Sequence, residues 1–191
     1  AWNVTGGNVV STNGNTITIT WPSSGTGTIS VTENNTATCP ASVNMNVTVA
    51  PQPAPVITGT ATVCTWTSSS YSVNPVSGNS YAWTVAGGTI IGASNTPSIN
   101  VQWSNPGTAT ISVNQSNSYG CDSTVTFTVN VLQTPSPNIT GSNHICAGST
   151  EVYTTPLVSG NTYSWNVTGG TVISTSNNTI TILWPNAGAG S

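Results

Sequence analysis

Apolar and polar residues alternate in short runs along this chain. In Thr16-Ile17-Thr18-Ile19-Thr20-Trp21 the isoleucines and the tryptophan fall on one face and the threonines on the other. Val43-Asn44-Met45-Asn46-Val47-Thr48-Val49 and Val125-Thr126-Phe127-Thr128-Val129-Asn130-Val131 do the same. A period of two with β-branched residues predicts half-buried strands, one face in a core and one in water. No segment carries a helical period. Gly-Gly, Asn-Pro-Gly and Ser-Gly-Asn punctuate the runs as turns. Short strands with regular turn signals predict an all-β protein built of β-sandwiches.

The pattern also returns at a longer interval. Ala1-Trp2-Asn3-Val4-Thr5-Gly6-Gly7 recurs as Ala82-Trp83-Thr84-Val85-Ala86-Gly87-Gly88 and as Ser164-Trp165-Asn166-Val167-Thr168-Gly169-Gly170. The tryptophans stand 81 and then 82 residues apart. Trp21, Trp103 and Trp184 align, as do Cys39 with Cys121, Cys64 with Cys146, and Tyr71 with Tyr153. Residues 1–28 and 164–191 agree at 18 of 28 positions. A fixed period of this length means an array of like units.

Proline-spaced segments, Ala50-Pro51-Gln52-Pro53-Ala54-Pro55 and Gln133-Thr134-Pro135-Ser136-Pro137, recur at the same interval and predict stiff, extended linkers. The expected organisation is the C-terminal part of one repeat over 1–52, a complete repeat over 53–134, and the N-terminal part of the next over 135–191. Within the complete repeat, seven strands are expected near 56–60, 69–74, 80–86, 89–92, 97–103, 107–114 and 123–132. Trp83 on the third strand and Trp103 at the end of the fifth are the expected core anchors.

Composition narrows the function. The 191 residues include no Lys, no Arg, three acids and one His, for a net charge of −3. Globular domains ordinarily carry about 25% charged residues; this chain carries 2%. Seven Trp and five Tyr argue for a packed chain nonetheless. Without cations the chain cannot neutralise nucleic acid phosphates or anionic lipid surfaces, and it has no lysine for a Schiff base or an isopeptide crosslink. No stretch reaches 18 apolar residues, so no membrane-inserted helix is expected.

Candidate chemistry is sparse. The acids Glu33, Asp122 and Glu151 form no pair of the kind that glycoside hydrolysis needs within one repeat. His144 is alone, and with no Cys-x-x-Cys there is no zinc set. No Ser/His/acid constellation recurs, so an enzyme is not expected, nor a cofactor or a metal. Two aromatics break the repeat: Trp66 aligns with Gly148, and Tyr119 with Ala37. Core positions should recur, so these two are expected at the surface, as contact aromatics or as a platform for a sugar ring.

Cys39, Cys64, Cys121 and Cys146 come two per repeat, which reads as a disulfide framework. A Cys64–Cys121 bridge within one repeat is the plain pairing, but the two precede strands at opposite ends of a standard sandwich. The competing pairing crosses a junction: Cys64 would meet a cysteine near position 203, one period beyond Cys121. Both pairings stay open at this level.

The set of Pro-rich start, Val63-Cys64 and Ile145-Cys146, Tyr81-Ala82-Trp83 and Tyr163-Ser164-Trp165, and Tyr119-Gly120-Cys121 resembles the PKD-like and bacterial immunoglobulin-like tandem repeats of giant surface proteins of gliding bacteria. The resemblance covers essentially the whole chain. It implies export by the type 9 route, an extracellular place on the bacterial cell surface, and a part in adhesins, stalks or filaments. The acidic Trp-Asp-x-Gly-Asp-Gly stretch of such modules is replaced here by Trp83-Thr84-Val85-Ala86-Gly87-Gly88, so no calcium role carries over. Asp122-Ser123-Thr124 resembles the O-glycosylation acceptor of such proteins, with Ser123 and Thr124 as the acceptor hydroxyls.

The expected function is a non-enzymatic, extracellular rod or filament segment of an adhesin. Its expected partners are copies of itself or neighbouring repeats. The alternatives are a carbohydrate-binding accessory module of a secreted enzyme, with Trp66 and Tyr119 as its polysaccharide platform, and a surface-layer lattice component.

Overall fold

The computed structural model describes residues 1–37 and 39–188, and every regular element among them is a β-strand. The chain divides into two units, Ala1–Thr134 and Pro135–Ser191.

The first unit opens with β1 (Trp2–Thr5), β2 (Asn8–Asn13), β3 (Thr16–Thr20), β4 (Gly25–Asn34) and β5 (Pro40–Val49). These form a three-stranded sheet in the order β1-β4-β5 and a separate β2-β3 hairpin. After the proline linker come β6 (Thr58–Gly59), β7 (Thr62–Cys64), β8 (Ser68–Ser72), β9 (Ser80–Ala86), β10 (Thr89–Ile91), β11 (Ser98–Gln102), β12 (Gly107–Ser116) and β13 (Asp122–Leu132). They build two four-stranded sheets, β10-β11-β8-β6 and β7-β13-β12-β9, which face each other as an immunoglobulin-like sandwich.

Each of the seven expected runs of this repeat contains a strand, and β7, an eighth, lies outside them between the first and the second. β6 pairs antiparallel with β8, and β7 crosses to the other sheet to pair parallel with β13. Gly59 lies against the ring of Tyr71, where a Cβ would come within 2.2 Å of ring carbon Cδ1. Tyr71 in turn donates from its hydroxyl to the Thr60 carbonyl at 2.9 Å. The crossover between the sheets is therefore pinned to the core residue beneath it.

Alternation along these strands converges on one core. Tyr71, Trp83, Ile99, Val101, Trp103, Ile111, Val113, Val129 and Val131 are buried, with Val125 and Phe127 packed on its edge. Burying each large apolar side chain contributes about 1.5–3 kcal/mol. Trp83 also donates from Nε1 to the Thr96 carbonyl at 2.8 Å. Trp103 meets Tyr71 edge to face at 6.0 Å between centroids.

The repeated Gly-Gly has a double cause. Gly87 takes φ +85°, which L side chains rarely adopt. At Gly88 a Cβ would sit 2.7 Å from the Trp103 ring. The turn after the third strand thus needs one glycine for its direction and a second to let the fifth-strand tryptophan close.

The second unit holds β14 (Ser149–Thr154), β15 (Thr171–Ser176) and β16 (Thr179–Trp184) in a single sheet of order β14-β16-β15. Residues 163–167 match β9 in sequence yet form no strand. In the complete repeat β9 is an edge strand held by β12 alone, and no counterpart of β12 lies among the described residues of this unit.

Candidate functional site

The complete repeat is gripped at opposite poles by the segments that lead in and out of it. At the upstream pole, the β12–β13 turn is organised by Asn117. Its Oδ1 accepts from the backbone N–H groups of Tyr119 at 3.0 Å and Cys121 at 3.1 Å. Its Nδ2 donates to the carbonyl of Pro51 in the incoming linker at 2.9 Å. Beside it, Gln52 Nε2 donates to the Asp122 carbonyl at 3.0 Å. Asn35 holds the matching turn of the first repeat, accepting from Ala37 at 2.9 Å and Cys39 at 3.0 Å.

At the downstream pole, Thr65 is buried and clasps the outgoing linker. Its Oγ1 accepts from the Thr134 N–H at 3.0 Å, and the Thr134 hydroxyl donates to the Thr65 carbonyl at 2.7 Å. Thr65 N–H donates to the Leu132 carbonyl at 2.8 Å, extending the β7–β13 ladder by one bond. β13, with eleven residues, runs from one pole to the other. At about 3.4 Å per residue it separates them by roughly 34 Å.

This axis places the sequence-predicted residues. Cys64 pairs in register with Leu132 at the downstream pole, and Cys121 precedes Asp122 at the upstream pole. Bridged cysteines need Cα atoms within about 7 Å, so a Cys64–Cys121 bridge inside one repeat is excluded. The four thiols are free in this structure: Cys39, Cys64 and Cys146 are exposed and Cys121 is half-buried.

Trp66 and Tyr119 are separated by the same axis. Trp66 follows Cys64 at the downstream pole, is 73% exposed, and takes φ +66°, where the third repeat has Gly148 at φ +85°. Tyr119 is 68% exposed in the upstream turn. A single sugar platform made of both is therefore ruled out, because the length of β13 stands between them. Tyr119 instead rims a groove under the incoming linker, together with Pro53, Pro55, Val76 and Asn117. Gln115, 2% exposed, closes its floor.

The acids stay apart. Glu33 lies on β4 opposite Ala41, Glu151 accepts from the Ser142 N–H at 3.0 Å, and Asp122 accepts from Asn114 Nδ2 at 2.7 Å. His144 sits in an exposed loop near Ser142. Thr124 is exposed and receives a second bond from Asn114 Nδ2 at 2.9 Å, while Ser123 is half-buried. Both lie on β13 above the point where β7 begins to pair with it, so this stretch is a free strand edge. No group of three or more metal-ligating side chains occurs among the described residues. No helix among them is long and apolar enough to cross a membrane.

Two further concavities lie on the open faces of the flanking sheets. One is lined by Tyr153, Trp165, Ile180, Ile182 and Trp184, and the other by Trp2, Ile17, Ile29, Val31 and Met45. Their counterparts in the complete repeat, Tyr71, Trp83, Ile99, Val101 and Trp103 among them, are buried core.

A model of the PKD-like domain matches residues 50–131 and again 132–190. The chain belongs to the PKD-like domain family. No curated protein matches it. Similar solved structures include the human Desmocollin-1 ectodomain, at 11% identity and a TM-score of 0.34, covering 95% of this chain and 45% of that one. The FN1–FN3 domains of chicken CNTN1 align at 14% identity and 0.27, covering 84% and 66%. A Bacteroides ovatus glucan-utilization protein, SGBP-B, solved with a mixed-linkage heptasaccharide, aligns at 15% and 0.21, covering 98% and 51%. The chain thus spans about half the length of the first of these.

Proposed function

We propose that this chain is a non-catalytic spacer segment of an extracellular adhesin on a bacterial surface, exported by the type 9 route, in which tandem sandwiches form a stiff rod. The observation that carries this reading is the pole-to-pole path through the complete repeat. Pro51 and Gln52 are held at one end by Asn117 and Asp122, and Thr134 is held at the other by Thr65. Each linker is fixed by side-chain bonds where it meets the sandwich, and its prolines restrict bending.

Mechanical strength follows from strand direction. Tension on such a rod draws the chain before β7 upstream and the end of β13 downstream. β7 and β13 are parallel, so this pull shears their hydrogen bonds together rather than opening them one by one. The bonds from Asn130 N–H to the Ala61 carbonyl and from Thr65 N–H to the Leu132 carbonyl, both 2.8 Å, flank the ladder.

Self-association and decoration belong to the same reading. With no Lys or Arg on any edge strand, the usual charged guard against edge pairing is missing. Threonine-rich edges of one rod can therefore meet those of another, and light scattering of concentrated native material should show growth in mass. A strictly monomeric sample removes lateral assembly. Ser123 and Thr124 are the glycan acceptors in this reading, and an unmodified 122–124 peptide from native material removes that part.

Negative-stain electron microscopy of the native protein tests the rod itself. Straight, narrow particles of constant width are expected. Compact globules, or beads in random arrangement, would overturn it.

A further inference from the structure

We propose that a disulfide crosses each repeat junction, joining the Cys64 position of one repeat to the Cys121 position of the next. The inference rests on the tandem rod reading and deepens it by naming the covalent lock at each joint.

The two linkers occupy equivalent places in the repeat and show the two sides of one junction. At an offset of 82 residues, Ala50, Pro51 and Gln52 occupy the places of Leu132, Gln133 and Thr134. From the upstream side, this three-residue stretch is bound by the Cys64 turn. Leu132 pairs with Cys64, its carbonyl accepts from Thr65 N–H, and Thr134 bonds Thr65. From the downstream side, the same stretch is bound by the Cys121 turn. Asn117 donates to the Pro51 carbonyl while exchanging backbone and side-chain bonds with Cys121, and Gln52 donates to the Asp122 carbonyl.

The Cys64 position therefore stands one strand spacing, ~5 Å, from this short piece of backbone, and the Cys121 turn is tied to the same piece through the Asn117 and Gln52 side chains. Bridged cysteines stand about 4.4–6.8 Å apart at Cα. Each turn is also fixed before any bond forms. Thr67 Oγ1 donates to the Cys64 carbonyl at 2.7 Å, and Asn117 N–H donates to the Cys121 carbonyl at 2.9 Å.

The register explains the free thiols. The partner of Cys64 belongs near position 203, and the partner of Cys121 belongs one period ahead of Cys64. The widest separation between cysteines in this chain is from Cys39 to Cys146, so none of the four is matched with another. In forming the bond, two thiols lose two protons and two electrons to make one S–S bond. A thiol–disulfide oxidoreductase takes both as its own disulfide is reduced to a dithiol.

Non-reducing peptic mapping of the full native polypeptide, with free thiols alkylated first, tests this. A peptide containing Cys64 joined to one from the Cys121 position of the following repeat is the expected product. Recovery of Cys64 as an alkylated thiol, or joined to a cysteine of its own repeat, overturns the proposal. The 191-residue chain by itself should titrate as four free thiols with Ellman's reagent; a lower count means a pairing inside the chain and also overturns it. In the native polypeptide, C64S should release one new thiol at the following repeat with no change in the thermal transition of its own. Microscopy without reductant, run beside the peptide map, separates the two readings: straight rods whose map returns Cys64 as an alkylated thiol sink the disulfide alone, whereas linked peptides from globular particles sink the rod.

Discussion

The complete repeat and the unit after it share their tyrosines, tryptophans and paired glycines at matching positions, and only one of them hides its tryptophans. Trp83 is 4% exposed and Trp103 fully buried, whereas Trp165 and Trp184 remain half-buried. Tyr71 and Tyr153 differ in the same way, although each donates its hydroxyl to the matching carbonyl, Thr60 or Ser142. The edge-to-face ring pair also survives in both, at 6.0 Å and 6.3 Å. Local contacts within one sheet are thus set by local sequence. Burial is set by the opposing sheet, whose β12 and β13 supply Ile111, Val113, Val129 and Val131.

The sharpest way to break this contrast is to remove a matched tryptophan from each region. Trp103→Ala should destabilise the complete repeat by about 3–5 kcal/mol in denaturant unfolding. Trp184→Ala in the same chain should cost less than about half of that, because part of its surface already faces water. Equal costs would mean that one sheet suffices.

A smaller effect comes from the glycine that lets the tryptophan close. Gly88→Ala should cost about 1–3 kcal/mol by overpacking against Trp103. Gly170→Ala faces a Trp184 whose nearest ring carbons lie at 3.1 Å, and an Ile182 methyl at 2.6 Å on a sheet with room to shift. It should cost less in the same measurement.

Smaller again is the strained turn at Trp66. Replacing Trp66 with glycine, the residue of the third repeat, should leave the repeat more stable than Trp66→Ala by about 1 kcal/mol, since alanine keeps the left-handed penalty and glycine does not. Thermal melts of the two variants check the sign.

The smallest effect is the pH dependence. Burial pushes the Tyr71 phenol above its usual value near 10. The folded state therefore favours the neutral phenol. That contribution is complete below the unfolded value of about 10 and is lost as pH rises through the higher folded value. Denaturant midpoints should fall above pH 10, and Tyr71→Phe should flatten the fall.

Much of this was legible from residue order. The period-two runs mark the strands, and the Trp-x-Val-x-Gly-Gly repeats mark where the third strand turns. Trp83 and Trp103 were readable as core because they recur and sit on apolar faces. Strand β7, which follows the first expected run on the other sheet, was not readable. Thr58-Gly59-Thr60-Ala61-Thr62-Val63 alternates without a break, and the change of sheet is decided by Tyr71 and by β13, both distant in sequence. Trp66 and Tyr119 were readable as exceptions to the repeat. Their separation was not, because it depends on β13 running the whole length of the sandwich between them.

In the proposed rod, tension passes from linker to linker through a sheared β7–β13 pair. Single-molecule extension of the native polypeptide in reductant tests it most directly. A regular series of unfolding events is expected, each releasing about one repeat of 82 residues at about 3.3–3.6 Å per residue, less the folded length. Replacing Val63 with proline, which removes an N–H from β7, should lower the force. Extension without discrete events, or events whose force ignores the β7 substitution, would contradict it.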